Sequence, residues 1–579
     1  MSMFISEENL RFGTWQAFER IVARLLAHEG YDGIRLVGQS GDRGADMLAN
    51  RADKRWLFQM KHWRNKVGLD VADQTLEAMR IYRAQVPVIV ALSGFDEKVR
   101  ENQRALMSRG VPLQLWDTKS LIERAERLSE ISVINRKPRD YQESAIRSVI
   151  QVYNEGRKNA LVVMATGLGK TFVACEIVKR INATFPVKIL VIAHTNELVY
   201  QIEKSFWSFL SKYQETVVWN GYEQPGQERL EKADAVFACL NTLADYIQRG
   251  YELPQFDLVI IDECHHVGGQ MYSRILKDTS AGMENGPFLL GLTATPWRPD
   301  DVDITDYFGD PLVSVDIVTG LKKGFLSNVD YRMYTDNINW EALGTLKGKR
   351  FSPRQINRTL FITQWDDEVV FELKKVWQEH SNPKAIVFCG TIDHALTMRD
   401  RINSLGFCNA SAIYSQTSTG RIMDPAERNK TLCDFQDGVI DILCAVDILN
   451  EGIDVPDVNI IVFQRVTHSR RIFIQQLGRG LRLSKDKEKV IVLDFVSDIR
   501  RFAAGIDLKD GLSSDDGPSP GNPVRISLPH KVSFRKVGGE DPNTESFLRQ
   551  WLEDVAAVEG AGEDTSVLKF PPDIPGGRV

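Results

Sequence analysis

The stretch ALVVMATGLGKT, residues 160–171, decides how the rest of the chain is read. An apolar run of strand composition gives way to a glycine loop and then to helical sequence. Successive backbone N–H groups of such a loop, with the N-terminus of the helix that follows, can wrap phosphate oxygens. Lys170 would reach the β- and γ-phosphates and the Thr171 hydroxyl would hold Mg2+, with Thr166, Gly167 and Gly169 forming the cradle. Met164 stands where a full G-x-x-x-x-G-K-T pattern has its first glycine, so the stretch alone is a partial match. Further along, DLVIIDECHH, residues 257–266, is an apolar strand ending in Asp262 and Glu263. Both carboxylates fall at the strand's C-terminal tip, where open parallel sheets bind ligands. Asp262 suits a Mg2+ ion and Glu263 suits activation of an attacking water.

The chain around these anchors has 579 residues, room for about four domains at roughly 150 residues each. Hydrophobic residues make up 43% and charged residues 26%, ordinary globular values that exclude a wholly disordered chain or a fibrous repeat. No apolar run approaches the roughly 20 residues that a membrane span needs. The opening MSMFISEENLRFG has two early glutamates and no apolar centre, unlike a secretory signal. Seven cysteines with no C-x-x-C pair point to reduced thiols and a cytoplasmic setting, not to a zinc ribbon or a disulfide framework. The net charge of −6 leaves nucleic-acid binding open, because that needs a local basic face and not a basic sum.

Apolar strands alternate with helical sequence over residues 139–320 (ALVVMA, KILVIAH, AVFACL, FDLVIID, FLLGLTA) and again over 321–500 (KAIVFCG, SAIYS, DILCAV, VNIIVFQ, KVIVLDF). Continuous apolar strands between helices read as parallel sheets covered on both faces. The expected fold class is therefore multidomain α/β, with two parallel-sheet domains of similar size. A smaller α/β domain precedes them over residues 1–128, joined through a linker at 129–138 that contains Pro138. It opens with TWQAFERIVARLLAHEGY, where Trp15, Phe18, Val22, Leu25 and Leu26 recur at helical spacing and Gly30 is a stop signal. IRLV, ADMLA, RWLFQMK and VPVIVAL are its strand candidates, with a helix at about 70–84. Residues 501–579 form a C-terminal extension: GLSSDDGPSPGNP is a linker by composition, and SFLRQWLEDVAAV predicts a short amphipathic helix.

ATGLGKT, DECH, GLTATP (291–296), EGID (451–454) and QQLGRGLR (475–482) together resemble motifs I, II, III, V and VI of superfamily 2 helicases and translocases. RDYQ (139–142) resembles the adenine-reading Gln element, AHTNELVYQ (193–201) motif Ia, and AIVFCGT (385–391) motif IV. The nearest likeness is to the motor subunits of type I and type III restriction enzymes and their DEAD/DEAH-box relatives. That superfamily lacks the first glycine of motif I, which accounts for Met164. The resemblance implies two RecA-like domains sharing one ATP site. Lys170, Thr171, Asp262 and Glu263 would hold nucleotide, metal and water on the first half. Arg479 and Arg482, in the Q-x-x-G-R-x-x-R run from Gln475, would complete the site as arginine fingers when the halves close. Gln142 would read the adenine edge, Gly452 and Asp454 would lie at the inter-domain nucleotide face, and His265, Thr293 and Thr295 would couple hydrolysis to domain motion.

In the first domain, GQSGDRGAD (38–46) is followed about a dozen residues later by RWLFQMKHW (55–63). In a strand, Gln59 and Lys61 share one face while Phe58 and Met60 take the other. A carboxylate, an amide oxygen and an ammonium could thus converge at a sheet edge, with Glu19 upstream near the buried face of the first helix. Asp46 and the Gln59 carbonyl would ligate a hard cation through oxygen, and Lys61 would orient the nucleophile or stabilise charge. Asp42 is also a candidate carboxylate; the spacing to the Gln-x-Lys strand favours Asp46. GDRGAD…QMK resembles the Mrr-type restriction endonucleases of the PD-(D/E)xK fold, including the Gln in place of the usual acid, and FERIVARLLAHEGY resembles the helix that opens that domain. Lys54, Arg55, His62, Arg64 and Lys66, with Trp63 among them, would form a basic strip for phosphate contacts.

The resulting expectation is an ATP-driven DNA motor fused to a Mg2+-dependent endonuclease, with ATP and Mg2+ as cofactors and DNA as partner, acting in bacterial restriction or anti-phage defence. Neither a methyltransferase motif nor a modified-base pocket is visible in the sequence. Self from non-self would then be told apart through a defence-system protein partner, through DNA ends or structure, or through features the sequence does not display. The alternatives are a repair or remodelling translocase whose first domain grips DNA without cutting, and an RNA helicase.

Overall fold

The computed structural model describes residues 3–37, 44–132, 136–267, 269–294, 304–334, 350–351, 366–414, 422–446, 457–464, 487, 489–495, 532–537 and 568–569. The first domain holds a mixed five-stranded sheet in sequence order. Its strands are β1 (Asp32–Leu36), β2 (Met47–Arg51), β3 (Lys54–Lys61), β4 (Val86–Ala91) and β5 (Gln114–Asp117). β1, β2 and β3 run antiparallel, whereas β3, β4 and β5 run parallel. β3 is the central strand; β2 pairs with its Lys54–Phe58 stretch, whereas Gln59 and Lys61 pair with β4 alone, at a locally open side of β3. The Leu69–Ile81 helix covers the Gln59 side, and the Trp15–His28 helix packs into the core that holds Phe58 and Met60.

The second domain is a seven-stranded parallel sheet. Its strands are β6 (Asn159–Met164), β7 (Ile189–Ala193), β8 (Thr216–Trp219), β9 (Ala235–Cys239), β10 (Leu258–Asp262), β11 (Phe288–Thr293) and β12 (Pro311–Val315), in the order β12-β6-β11-β10-β7-β9-β8. β7, β9 and β11 are buried along their whole length, the signature of a sheet covered on both faces. The third domain repeats the plan with β13 (Asn328–Tyr334), β15 (Ala385–Phe388), β16 (Ala410–Ile413), β17 (Ile442–Ala445), β18 (Ile460–Phe463), β19 (Lys489–Phe495) and β20 (Val532–Val537), ordered β16-β17-β15-β18-β19-β13-β20. β14 (Arg350–Phe351) and β21 (Leu568–Lys569) form a separate two-stranded ribbon. β20 lies in the expected C-terminal extension yet adds to the third domain's sheet beside β13. The amphipathic helix expected over 546–558 lies outside the described residues.

The Trp15–His28 helix departs from a simple one-sided pattern. Phe18, Val22, Leu25 and Leu26 are buried as their spacing predicts, but Trp15 sits exposed in the first turn. Ala17, Arg20 and Arg24, on another face, are buried too. A helix buried all round is wedged between two bodies, and here the second body is the second domain. The Arg20 guanidinium lies 2.8 Å from Glu203, bonds to Glu223, and stacks 5.5 Å over the Tyr200 ring. Burial is the largest influence on Arg20 and opposes its charge; Glu203 and Glu223 together outweigh it and raise its pKa. One turn on, Arg24 donates to the carbonyls of Gln214 and Ser211, both at 2.9 Å. Lys212 returns the grip, its Nζ donating to the Glu126 and Leu128 carbonyls at 3.1 and 2.7 Å. Trp207 of the second domain packs within the first domain's own core. The two domains are thus joined through a shared interior.

Removing one member of a buried ion cluster strands its partners. Arg20→Ala should therefore destabilise the docked first domain by roughly 3–5 kcal/mol. Calorimetry should show its melting separate from, and below, that of the second domain; an unchanged thermogram would contradict the shared interior.

His28, buried beside Arg24, has its pKa lowered from the usual 6.5 to about 3, first by burial and then by the Arg24 charge. Between those values the unfolded chain binds a proton that the folded chain does not. His28 therefore costs no stability above pH 6.5 and progressively more as pH falls toward 3. His28→Leu should flatten the fall in urea midpoint between pH 6.5 and 4.5, roughly the range of His uptake; an unaltered slope would count against neutral burial of this ring.

Candidate functional site

In the second domain β6 pairs with β11, which pairs with β10, placing Thr293 opposite Val163 and Asp262 opposite Leu292. Three segments far apart in sequence so end side by side at one edge of the sheet. After β6 the chain turns through Gly167 and Gly169, with φ of 90° and 87°, and enters the Lys170–Asn182 helix. The left-handed backbone favours glycine at 169, and a Cβ there would meet Gln142 Nε2 at 2.6 Å and displace that side chain. Lys170 Nζ lies 3.3 Å from the Met164 carbonyl and 3.5 Å from Glu263 Oε1. Glu263 itself is left-handed, with φ of 51°, and its amide donates to Asp262 Oδ1 at 3.0 Å. Burial, then the neighbouring Glu263 charge, push the Asp262 carboxyl above the usual range, with Lys170 pulling the other way. A divalent cation with nucleotide phosphates would fit this pocket of oxygen acceptors and one ammonium.

His265 lies behind the pair. Its Nδ1 is 2.8 Å from Thr293 Oγ1 and 3.2 Å from Glu263 Oε2, and both His265 and Thr293 are buried. Glu263 is thereby tied to the end of β11, an arrangement suited to passing a change at this carboxylate to the next strand. Gln142 is buried in the first turn of the Asp140–Asn154 helix. Its Oε1 accepts from the Arg139 amide at 3.0 Å and its Nε2 donates to the Leu168 carbonyl at 2.8 Å. The side chain expected to read adenine thus also fastens the glycine loop.

The second candidate site lies in the first domain. Asp46 immediately precedes β2, its amide donating to the Phe58 carbonyl at 2.9 Å and its carbonyl accepting from Val37 N at 2.8 Å. Its Oδ2 accepts from the Met60 amide, which orients the carboxylate toward the Gln59–Lys61 stretch. Gly44, with φ of 89°, allows the approach, since a Cβ there would press on the Gln74 backbone at 3.0 Å. Gln59 is fully buried. Its amide is satisfied with the nitrogen toward Thr75 Oγ1 and the Val71 carbonyl (3.0 Å) and the oxygen 3.1 Å from Lys61 Nζ. Thr75 Oγ1 in turn donates to the Val71 carbonyl at 2.7 Å. Lys61 Nζ also rests 5.3 Å from the Trp63 ring centre. A carboxylate and an amide oxygen are hard donors that suit Mg2+. Glu19 is buried on the Trp15–His28 helix, whose Phe18 packs 5.3 Å from the His62 ring, the residue after Lys61. Among the described residues no three His, Cys, Asp or Glu side chains cluster as a metal site; the expected set contains only two acids.

Comparison with known families decides the assignment. Residues 10–125 match the family described as restriction endonuclease, residues 135–298 the type III restriction enzyme res subunit, and residues 368–484 the helicase conserved C-terminal domain. The chain thus carries an N-terminal restriction-endonuclease domain followed by helicase domains. It is 26% identical over 412 residues to a putative mitochondrial ATP-dependent helicase, irc3, of Schizosaccharomyces pombe, covering 70% of this chain and 64% of that one. The type I restriction enzyme EcoAI endonuclease subunit of Escherichia coli is 26% identical, over 64% of this chain and 47% of its own. The DNA 3'-5' translocase XPB2 of Sulfurisphaera tokodaii is also 26% identical, over 61% and 80%. The chain thus spans between about half and two thirds of the first two relatives. In fold it resembles the DNA-bound type ISP restriction-modification enzyme LlaBIII, with a TM-score of 0.52 and 16% identity, over 97% of this chain and 43% of that one.

The motor residues Gln142, Thr166, Gly167, Gly169, Lys170, Thr171, Asp262, Glu263, His265 and Thr293 fall in or beside one strand-end pocket. Thr295, Gly452, Asp454, Gln475, Arg479 and Arg482 lie outside the described residues, as does Asp42. The expected basic strip of the endonuclease domain is not continuous. Lys54 and Arg55 begin β3 and Lys61 ends it, about 23 Å apart at strand rise. Arg55 is bound bidentately to Asp437 at 2.7 and 2.5 Å, and the His62 ring bonds to the Leu10 carbonyl at 2.9 Å. Thr75, which fastens Gln59, escaped sequence reading: it is one small polar residue in an amphipathic helix, with no spacing signal for a contact across to a strand.

Gly169→Ala should introduce about 1–3 kcal/mol of backbone strain and displace Gln142. Affinity for a fluorescent ATP analogue should fall about fivefold or more, as that strain implies; unchanged binding would remove the glycine loop from the nucleotide site.

Proposed function

We propose that this chain is an ATP-driven DNA translocase carrying a Mg2+-dependent DNA endonuclease, cytoplasmic, and used in restriction of foreign DNA such as phage genomes. The observation that carries the reading is the pairing, on one chain, of the Lys170–Asp262–Glu263–His265–Thr293 constellation with the Asp46–Gln59–Lys61 constellation. The matched restriction-enzyme families and the DNA-acting relatives support DNA as the polymer.

At the motor site Lys170 would neutralise the β- and γ-phosphates, Thr171 and Asp262 would hold Mg2+, and Glu263 would take the proton of the attacking water. Arg479 and Arg482 from the second half would balance charge on the transferring phosphoryl group as the halves close. At the endonuclease site Asp46 and the Gln59 oxygen, with Glu19, would hold Mg2+, and Lys61 would place its ammonium on the scissile phosphate. A bound cation there supplies charge neutralisation and a more acidic water. The second reading, a first domain that grips DNA without cutting, is favoured by one observation: Gln59 is wholly buried, which limits its access to a substrate.

Linear, circular and branched DNA incubated with the purified chain and Mg2+, with and without ATP, separates these readings. Wild type should cut and should hydrolyse ATP in a DNA-dependent way. Lys170→Ala should abolish ATP hydrolysis. Asp46→Ala and Lys61→Ala should abolish cutting while leaving ATPase intact, since the motor has its own metal ligands. Asp46→Ala should cost metal occupancy, and Lys61→Ala mainly the chemical step. Cutting by Asp46→Ala at the wild-type rate would refute the endonuclease assignment, and failure of wild type to cut any of the DNAs would favour the gripping reading.

A further inference from the structure

The endonuclease domain touches both halves of the motor, in two physically different ways. Its junction with the first half is dry, built on Arg20, Arg24 and Trp207. Its junction with the second half carries more exposed ion pairs, and is made by the Pro425–Gln436 helix and the residue after it. Arg55 and Asp437, which pair there, each keep 23% of their side-chain surface exposed. Arg83 reaches Asp434 at 3.6 Å, and Cys433 joins the buried apolar cluster that holds Val37, Ala45, Leu48 and Leu57.

Two of these contacts converge on the Asp46 segment. Asn429 Nδ2 donates to the Val37 carbonyl at 2.9 Å, while the Val37 amide donates to the Asp46 carbonyl at 2.8 Å. One residue therefore separates a side chain of the second motor half from the carboxylate-bearing residue of the endonuclease. Cys433 meanwhile belongs to the same buried apolar cluster as Ala45, the residue before Asp46. Asp46 is held on its other side by the Phe58 and Met60 backbone of β3, and Asp437 grips Arg55, the second residue of β3. The same helix thus bears on both strands that bring Asp46 and Gln59 together.

We infer that the second motor half supplies positioning residues, Asn429 and Asp437, to the endonuclease site, so that the ATP state of the motor sets the order of the Asp46 segment. This rests on the proposed function for what the motor and the site do. The first half is welded to the endonuclease domain and cannot move against it without exposing buried charge. Relative motion of the two halves is therefore delivered to the second junction, where exposed ion pairs separate at small cost. A side chain that contacts neither DNA nor nucleotide then acts on cleavage through Val37 and Asp46. By reciprocity, metal binding at the endonuclease site biases the motor's nucleotide affinity by the same factor, a constraint on binding and not on turnover.

The test uses the full chain with a non-hydrolysable ATP analogue and double-stranded DNA. Hydrogen exchange of residues 44–48 is followed in wild type and in Asn429→Ala/Asp437→Ala, alongside the Mg2+ concentration for half-maximal cleavage and the rate of ATP hydrolysis. In wild type the analogue should change both exchange and Mg2+ midpoint by about fivefold or more, the usual lower bound for coupled sites. In the double variant exchange should be faster, the Mg2+ midpoint higher and both insensitive to the analogue, with ATP hydrolysis unchanged. The swapped pair Arg55→Asp/Asp437→Arg should retain nucleotide sensitivity, whereas Asp437→Arg alone should lose it. A wild-type response that persists in the double variant, or its absence in wild type, overturns the inference. If exchange responds as described but wild type cuts no DNA, the positioning link stands and the endonuclease reading fails.

Discussion

A guanidinium in a dry interior must bring its counter-charges with it, and Arg20 finds them on a different domain. Glu203 and Glu223, its two partners, are themselves buried, so each of the three would be costly alone. The cluster makes the first helix of the endonuclease domain an internal element of a larger body. Glu19 is its neighbour in sequence and Phe18 reaches the end of β3 through His62. The element that fixes the domain to the motor is therefore also the one that approaches the candidate metal site. Placement of the endonuclease relative to the first motor half follows from that single burial constraint.

The motor site depends on strand order. β6 and β11 are separated by more than a hundred residues and β10 lies between them in sequence, yet the sheet sets β6 beside β11 and β11 beside β10. The glycine loop, the Asp262–Glu263 pair and Thr293 come together because parallel strands all end at the same edge. His265 then closes a chain of contacts between Glu263 and Thr293 at distances that leave no room for water. In the first domain the mixed sheet does comparable work: antiparallel pairing with β2 brings Asp46 alongside Phe58 and Met60, while parallel pairing with β4 holds buried Gln59 and half-buried Lys61 on one face.

Legibility followed the range of the interaction. Strands such as KILVIAH, FLLGLTA and KVIVLDF were readable because their apolar runs are continuous, and VPVIVAL for the same reason. TVVW, PLVSV and VSFRKV, the strands at three sheet edges, were less readable because each apolar run is short or broken by polar residues. Trp15 had the right spacing but falls in the first turn, beyond the reach of the core that buries Phe18 and Val22. Lys54 and Arg55 looked continuous with Lys61 along the sequence, but strand geometry carries them to the far end of β3, where Arg55 pairs with Asp437.

What the sequence determined by itself was the chemistry: a glycine loop with Lys170 and Thr171, two acids at a strand tip, and an Asp, a Gln and a Lys at a spacing that suits a metal-dependent nuclease. These are local patterns, set by which side chains can bind phosphate or a hard cation and by how a strand alternates its faces. Only the tertiary structure decided how the parts are joined. The Arg20 cluster, the Thr75 anchor beneath Gln59 and the path from Asn429 through Val37 to Asp46 each link residues distant in the chain. Such links depend on burial and on strand order, which no local spacing encodes, because the energy of a charge or an amide is set by what surrounds it once the chain has folded.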